Sequence, residues 1–161
     1  MARAAGTAPV ARPPWTRPDP AKDTFMQHVT DTVTVKAPAE RFTGDVYLDP
    51  VETPAEPARL ASALVRFTPG ARTNWHSHLN GQTLYVTEGV GLVGTRDGKV
   101  VRVRAGQVVR CPAGEEHWHG ATGTTLMAHV AMVVGADGTD GTTWLEPVTD
   151  EQYSAAGDGE G

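Results

Sequence analysis

Four of the six histidines in this 161-residue chain form two closely spaced pairs. One pair is His76 and His78, the other is His117 and His119, and a single residue separates the members of each. Side chains two positions apart on a β-strand point to the same face, so each pair can direct two imidazole rings toward one point. Imidazole is the commonest metal ligand in proteins. The two pairs therefore indicate a site for one metal ion.

Gln82 is the candidate for a further ligand. On an uninterrupted strand it would lie about 13 Å beyond His78, too far away to share an ion. The intervening Asn80–Gly81 is a turn signal, and a chain reversal there would let Gln82 open the next strand. Its amide oxygen, which carries lone pairs, could then reach the same ion as His76 and His78. His117, on a later strand, would supply the fourth ligand.

The composition argues against several other functions. Lys and Arg number 14 against 19 Asp and Glu, which gives a net charge of −5, whereas nucleic-acid binding needs a concentrated basic face. The single cysteine, Cys111, excludes an internal disulfide. The N-terminal residues lack the apolar segment of a secretion signal, and the longest apolar stretch, Leu126 to Val134, is too short to span a bilayer. We therefore expect a cytoplasmic protein that acts on a small molecule, with no nucleic-acid or membrane partner.

Short runs rich in β-branched residues, separated by glycine turns, predict an all-β sandwich or barrel. Arg96–Gly98 is a hairpin signal because Asp-Gly tolerates positive φ. A short helix is expected at Thr149–Tyr153. The predicted strands are 42–48, 62–67, 82–87, 90–95, 99–104, 107–111 and 124–134.

The chain is expected to have four parts. Residues 1–23 are rich in proline and predict a disordered arm. Residues 24–40 include a Thr- and Val-rich run that suits an extra edge strand, or a strand exchanged with a neighbouring subunit. Residues 41–153 would form the folded domain, and residues 154–161 would form a disordered tail.

Two sets of spaced glycine, histidine and proline residues follow one another in this chain. The first comprises Gly70, His76, His78, Gln82 and Gly89; the second comprises Gly106, Pro112, Gly114 and His117. In this order they resemble the two motifs of the cupin superfamily. The resemblance implies a double-stranded β-helix, also called a jelly-roll barrel, for residues 41–153. The chain departs from the family at Gln82, where a glutamate is usual, and at Ala121, where asparagine is frequent.

The segments Gly70–His78, Gly81–Thr87 and Glu116–Ala121 are similar to those of small bacterial cupins that include the manganese-dependent (R)-selective hydroxynitrile lyases. This similarity runs from Arg41 to Tyr153. It implies one divalent ion, with Mn(II) favoured over Fe(II), Ni(II), Co(II) or Zn(II), and a homodimer or homotetramer. The metal ligands that carry over are His76, His78, Gln82 and His117, and the catalytic base that carries over is His129.

His129 shares an apolar strand face with Met127, so the residues alone allow either a packed core histidine or a base kept neutral by a dry pocket. His119 has the same parity as His117 and would line the pocket, hold a water molecule or simply pack. Ala63 and Val65, on the strand before the first motif, would line a substrate pocket together with His119 and Met127.

The neutral Gln82 changes the chemistry that such a site favours. Three neutral imidazoles and an amide leave a divalent ion with its full +2 charge, which favours Lewis-acid chemistry. The leading hypothesis is cleavage or formation of cyanohydrin C–C bonds with His129 as base. The alternatives are an Fe(II)-dependent dioxygenase, a metal-enolate decarboxylase, isomerase or cyclase, and a cupin that binds a small molecule without turnover.

Overall fold

The computed structural model describes residues 26–56 and 58–157, and the chain divides into two units. In the first unit, Met1–Asp31, the described residues from Met26 onward are exposed and form no regular secondary structure. The second unit, Thr32–Gly161, contains every strand and helix that the structure describes. The predicted disordered arm, 1–23, and residues 158–161 of the predicted tail lie outside the described residues.

Twelve strands and one helix are present among the described residues, which confirms the all-β prediction. The strands are β1 (Val35–Lys36), β2 (Phe42–Thr43), β3 (Val46–Glu52), β4 (Leu60–Phe67), β5 (Arg72–Thr73), β6 (His76–His78), β7 (Gln82–Thr95), β8 (Val100–Arg104), β9 (Val108–Cys111), β10 (His117–Ala121), β11 (Met127–Val134) and β12 (Thr142–Trp144), and the helix is α1 (Asp150–Gly157).

The strands form two sheets that share β7. The first sheet has the order β1-β3-β4-β11-β7-β9, with β7 contributing its N-terminal half. In the second sheet the C-terminal half of β7 lies between β8 and β10, and β10 continues to β5 and β6. At the edges of this sheet, β2 pairs with β5 and β12 pairs with β6. All of these pairs are antiparallel, as expected for a jelly roll.

β7 is a single strand of 14 residues, so the prediction of two separate strands at 82–87 and 90–95 was wrong. The pairing register with β11 shifts at this point, which leaves Thr87 as the extra residue of a β-bulge. A bulge bends a strand without ending it. Gly89 follows with φ of +72°, a conformation that glycine adopts without strain.

The bend brings both ends of β7 to the same residue of β10. Thr95, the last residue of β7, is the register partner of His117. Gln82, the first residue, places its Oε1 3.1 Å from His117 Nε2. β7 thus curls through both sheets and returns, and this curl places an amide beside the histidines.

The core lies between the sheets, on the inward faces of alternating strand residues. Val65 and Phe67 of β4, Leu84 and Val86 of β7, and Met127 of β11 belong to one buried cluster. Their sequence neighbours on the first sheet point outward. The interior around the histidines is therefore largely apolar.

The first strand and the C-terminal helix differ in length from the sequence prediction. Of residues 26–40, the described part of the segment 24–40, only Val35–Lys36 form a strand, which pairs with β3 at the edge of the first sheet. Helix α1 extends beyond Tyr153 into the segment predicted as a tail, and the Arg72 guanidinium holds its start by a 2.6 Å ion pair with Asp150. No helix in the described ranges is long and apolar enough to cross a membrane.

Candidate metal centre

Strand pairing brings the two histidine pairs together. His76 of β6 is the register partner of His117 of β10. Their ring centroids are 4.4 Å apart, and that of His78 lies 5.1 Å from His76 and 5.6 Å from His117. All three residues are buried. The convergence predicted from the spacing is therefore present.

The turn before Gln82 forms as the sequence predicts. Gly81 has φ of +80°, and its N–H donates to the carbonyl of His78 at 3.2 Å. A Cβ atom at this position would also lie 2.7 Å from the carbonyl oxygen of Cys111, so only glycine fits. The reversal turns the side chain of Gln82 back toward the histidines.

Hydrogen bonds fix the orientation of the histidine rings. His76 Nδ1 lies 3.0 Å from the carbonyl oxygen of Asn74, and His117 Nδ1 lies 2.9 Å from that of Glu115. A carbonyl only accepts, so both Nδ1 atoms carry the hydrogen and donate it, which leaves Nε2 with a free lone pair. Metal-bound histidines are typically oriented by such bonds from the other ring nitrogen.

Two further contacts fit a bound cation. His78 Nδ1 lies 3.1 Å from the hydroxyl of Thr142, while its Nε2 is buried without a partner among the described residues. The Nε2 lone pair of His117 faces Gln82 Oε1 at 3.1 Å, so two acceptors are in contact. Ligands about 2.0–2.2 Å from one ion and at right angles to each other are separated by about 3 Å. The donor set therefore fits a divalent cation.

The electrostatic surroundings keep these histidines neutral, as metal binding requires. Burial, reinforced by the neighbouring His117, lowers the pKa of His76 to about 3 and that of His78 to about 4. Burial also lowers the pKa of His117. Protonation therefore does not compete with a metal at neutral pH.

His119 joins the cluster more closely than the sequence indicated. Ring nitrogens of His76, His117 and His119 lie within 4.8 Å of one another, a three-histidine arrangement typical of a divalent metal site. His119 Nδ1 also lies 3.1 Å from His129 Nε2. His119 thus connects the cluster to His129, two strands away.

His129 is fully buried, and Phe67 contacts both its ring and that of His119, with centroid distances of 5.5 Å and 5.7 Å. Burial lowers the pKa of His129 to about 3 and that of His119 well below its usual value. Nδ1 of His129 has no partner among the described residues. Both rings are therefore neutral at physiological pH.

Of the residues expected to line a pocket, Ala63, Val65 and Met127 lie on the inward face of the first sheet, whereas His119 lies on β10 of the second sheet. Val65 is buried and is the register partner of His129, and Ala63 pairs with Ala131 in the same sheet. Met127 is also buried and pairs with Phe67 at the end of the two strands. Ala63 and Val65 thus lie on the strand next to that of His129.

The sequence reasoning missed β12, which lies outside both motifs. The indole of Trp144 stacks on the imidazole of His76, with centroids 4.9 Å apart and planes at 30°. The Arg41 guanidinium lies 5.4 Å from the indole centroid, and Phe42 packs against the same ring. Only the register of β12 against β6, in which Trp144 pairs with His76, reveals these contacts.

Comparison with known proteins agrees with this architecture. A family model of the cupin domain matches residues 63–134. Over 128 residues the chain is 46% identical to an (R)-mandelonitrile lyase from Granulicella tundricola, a span of 80% of this chain and 97% of that protein.

Solved structures give the same picture of the fold. A cupin-like protein from Thermotoga maritima superposes with a TM-score of 0.72 and 32% identity, covering 83% of this chain and 100% of that one. A predicted oxalate decarboxylase from the same organism superposes with a TM-score of 0.59 and 23% identity over 66% of this chain and 95% of its own. Because the identity to this second protein is only 23%, the similarity indicates a shared fold and nothing about function.

Proposed function

The chain belongs to the cupin family, and we propose that it is a metal-dependent lyase that cleaves or forms the C–C bond of cyanohydrins. The observation that carries this proposal is the joining of a neutral metal-binding cluster to the buried base His129 through His119. The relative from Granulicella tundricola, named as a mandelonitrile lyase, supports the same chemistry.

We propose His76, His78, Gln82 and His117 as the metal ligands, with Mn(II) as the favoured ion and Fe(II), Ni(II), Co(II) or Zn(II) as alternatives. We choose His78 over His119 because their ring nitrogen atoms differ in the contacts that they make. His78 Nε2 is buried without a partner among the described residues, whereas His119 Nδ1 already contacts His129. His119 is left to hold the ring of His129 in place until a substrate binds.

The ligand assignment predicts different outcomes for two alanine variants. His78→Ala should lose bound metal, with affinity reduced at least about tenfold, because a ligand is removed. His119→Ala should retain metal, because its proposed contact is with His129. Elemental analysis and calorimetric metal titration of both proteins would measure this, and thermal melting would verify that both are folded. Retention of metal by His78→Ala together with its loss from His119→Ala would reverse the assignment.

A bound divalent ion would act as a Lewis acid toward the departing cyanide. The residues of the chain supply the rest of the reaction. Neutral His129 accepts the hydroxyl proton of the cyanohydrin at Nε2, the nitrogen that points toward His119. The substrate hydroxyl takes the place of His119 Nδ1 as the partner of this nitrogen.

Loss of the hydroxyl proton lets the carbonyl form as the C–C bond breaks, and the bonding electron pair leaves with cyanide. His129 then returns its proton to cyanide and gives hydrogen cyanide. Its low pKa favours this return, because the buried imidazolium is unstable. Ala63 and Val65, small residues on the strand beside His129, would leave room for an aryl group.

The activity is tested with mandelonitrile as substrate. Protein loaded with Mn(II) should release benzaldehyde well above the uncatalysed rate, and chelator-treated protein should not. Reloading the treated protein should restore the rate, which distinguishes metal loss from unfolding. A fully metallated wild-type protein that releases no benzaldehyde would refute the lyase assignment, and oxygen uptake by the Fe(II) form would instead favour a dioxygenase.

A further inference from the structure

Strand β12 contacts two of the proposed metal ligands from outside both sequence motifs. It pairs with β6 so that Thr142 is the register partner of His78 and Trp144 is that of His76. Residues two positions apart on a strand share a face. Thr142 Oγ1 lies 3.1 Å from His78 Nδ1, and the Trp144 indole stacks on the His76 ring. One face of β12 is therefore packed against the rings of the metal centre.

His78 differs from the other two histidine ligands in the group that contacts its Nδ1. His76 and His117 each donate from Nδ1 to a backbone carbonyl two residues earlier in the chain. A carbonyl only accepts, so the backbone itself fixes the tautomer of these two rings. His78 Nδ1 instead meets a hydroxyl that lies 64 residues further along the chain, and a hydroxyl both donates and accepts. The tautomer of His78 therefore depends on a side chain.

Two observations indicate that Nδ1 of His78 carries the hydrogen. His78 Nε2 is buried without a partner among the described residues, and a hydrogen there would be a buried donor left unsatisfied. The carboxylate of Asp140 accepts from the Thr142 amide at 3.0 Å, on the side of the ring that faces β12. Burial lowers the pKa of His78, and the negative charge of Asp140 opposes that effect. A negative charge on this side favours the tautomer whose N–H points toward β12.

We propose that Thr142 is a positioning residue that accepts a hydrogen bond from His78 Nδ1 and thereby keeps the Nε2 lone pair free for a metal ion. The proposal rests on the assignment of His78 as a ligand under the proposed function. Backbone contacts hold the hydroxyl in place, because the Leu79 amide donates to the Gly141 carbonyl at 2.9 Å, next to the bond between Thr142 and Asp140. The start of β12 thus completes the metal centre.

The first test measures Mn(II) affinity by calorimetric titration. Thr142→Val removes the hydroxyl with little change of shape, and the affinity should fall about 10–100-fold, as is typical when a ligand loses its hydrogen-bond partner. Thr142→Ser keeps the hydroxyl and should bind Mn(II) within a few-fold of the wild type. Thr143→Val is the matched control, since Thr143 pairs with Ser77 and is exposed on the opposite face of β12. It should leave the affinity unchanged, and thermal melting verifies that each variant is folded.

The second test observes the tautomer directly in the metal-free protein. Proton–nitrogen NMR spectra of isotope-labelled histidine separate protonated from unprotonated ring nitrogens, and the signals of His78 are those absent from His78→Ala. The wild type should carry the His78 hydrogen on Nδ1. In Thr142→Val part of the population should carry it on Nε2, because no partner then retains it at Nδ1. A residue that only filled space would not shift this equilibrium.

Three results would overturn the proposal. They are a hydrogen on Nε2 of His78 in the wild type, wild-type Mn(II) affinity in Thr142→Val, and equal losses of affinity in Thr142→Val and Thr142→Ser, which would indicate a packing role. Neither test uses mandelonitrile, so a protein without lyase activity would refute the proposed reaction and leave the role of Thr142 to be decided by these measurements. Retention of metal by His78→Ala would refute the ligand assignment separately.

Discussion

Replacing His129 with alanine is expected to lower kcat for mandelonitrile cleavage by about 10²–10⁴-fold, the contribution typical of a general base. His119 is the histidine that contacts His129, and its proposed role is to hold the ring of His129 before a substrate binds, so it does not replace the base. Metal content should stay at the wild-type level, since His129 contacts His119 and none of the proposed ligands.

The measurement is benzaldehyde release at matched metal occupancy, with thermal melting to detect loss of packing against Phe67. His28→Ala is a matched control, because it removes an exposed histidine in the first unit of the chain and should change neither rate nor metal content. Activity of His129→Ala within a few-fold of the wild type, at full metal occupancy, would exclude His129 as the base.

Replacing Gln82 with glutamate should tighten metal binding and reduce cyanohydrin cleavage at least about tenfold. The buried carboxylate would cancel one unit of the ion's charge, and thereby weaken its attraction for departing cyanide. Two unit charges about 4 Å apart interact by about 4 kcal/mol at an effective dielectric constant of 20, and tenfold in rate needs only about 1.4 kcal/mol. The substitution is nearly isosteric, so the effect is electrostatic.

Calorimetric metal titration and steady-state kinetics of Gln82→Glu would test this expectation. Gln107→Glu is the matched control: it adds the same charge at an exposed residue whose Oε1 accepts from the Arg104 amide, and glutamate keeps that acceptor. If Gln82→Glu bound metal fully and retained the wild-type rate, the neutral amide would have no part in the chemistry, and the argument for a +2 Lewis acid would fail.

The sequence was most informative where short-range geometry decides the outcome. Strand alternation placed His76 and His78 on one face, and the Asn80–Gly81 turn returned Gln82 to them, because both features act within a few residues. The ring contact of Trp144 with His76 arises instead from the pairing of β12 with β6, which are distant in the chain. The contact of His119 with His129 arises because β10 and β11 both pair with the bent strand β7. Spacing within a motif does not encode those registers.

The prediction of two strands in place of β7 has a related cause. Glu88–Gly89 has the composition of a turn, and a turn and a bulge both favour glycine with positive φ. A bulge forms where the flanking residues keep their partners on neighbouring strands, and a turn forms where they do not. β11 and β10 supply those partners on either side of the bulge, so the strand continues.

The path of β7 also limits where residues can be inserted into the chain or deleted from it. Its 14 residues span about 43 Å of contour, yet Gln82 and Thr95 both return to His117. One inserted or deleted residue would reverse the facing of every side chain on one side of the change. It would either turn Gln82 away from His117 or shift the pairing with β10. Relatives that keep this chemistry should therefore vary in the length of the Arg96–Gly98 turn and keep the number of residues between Gln82 and Thr95 constant.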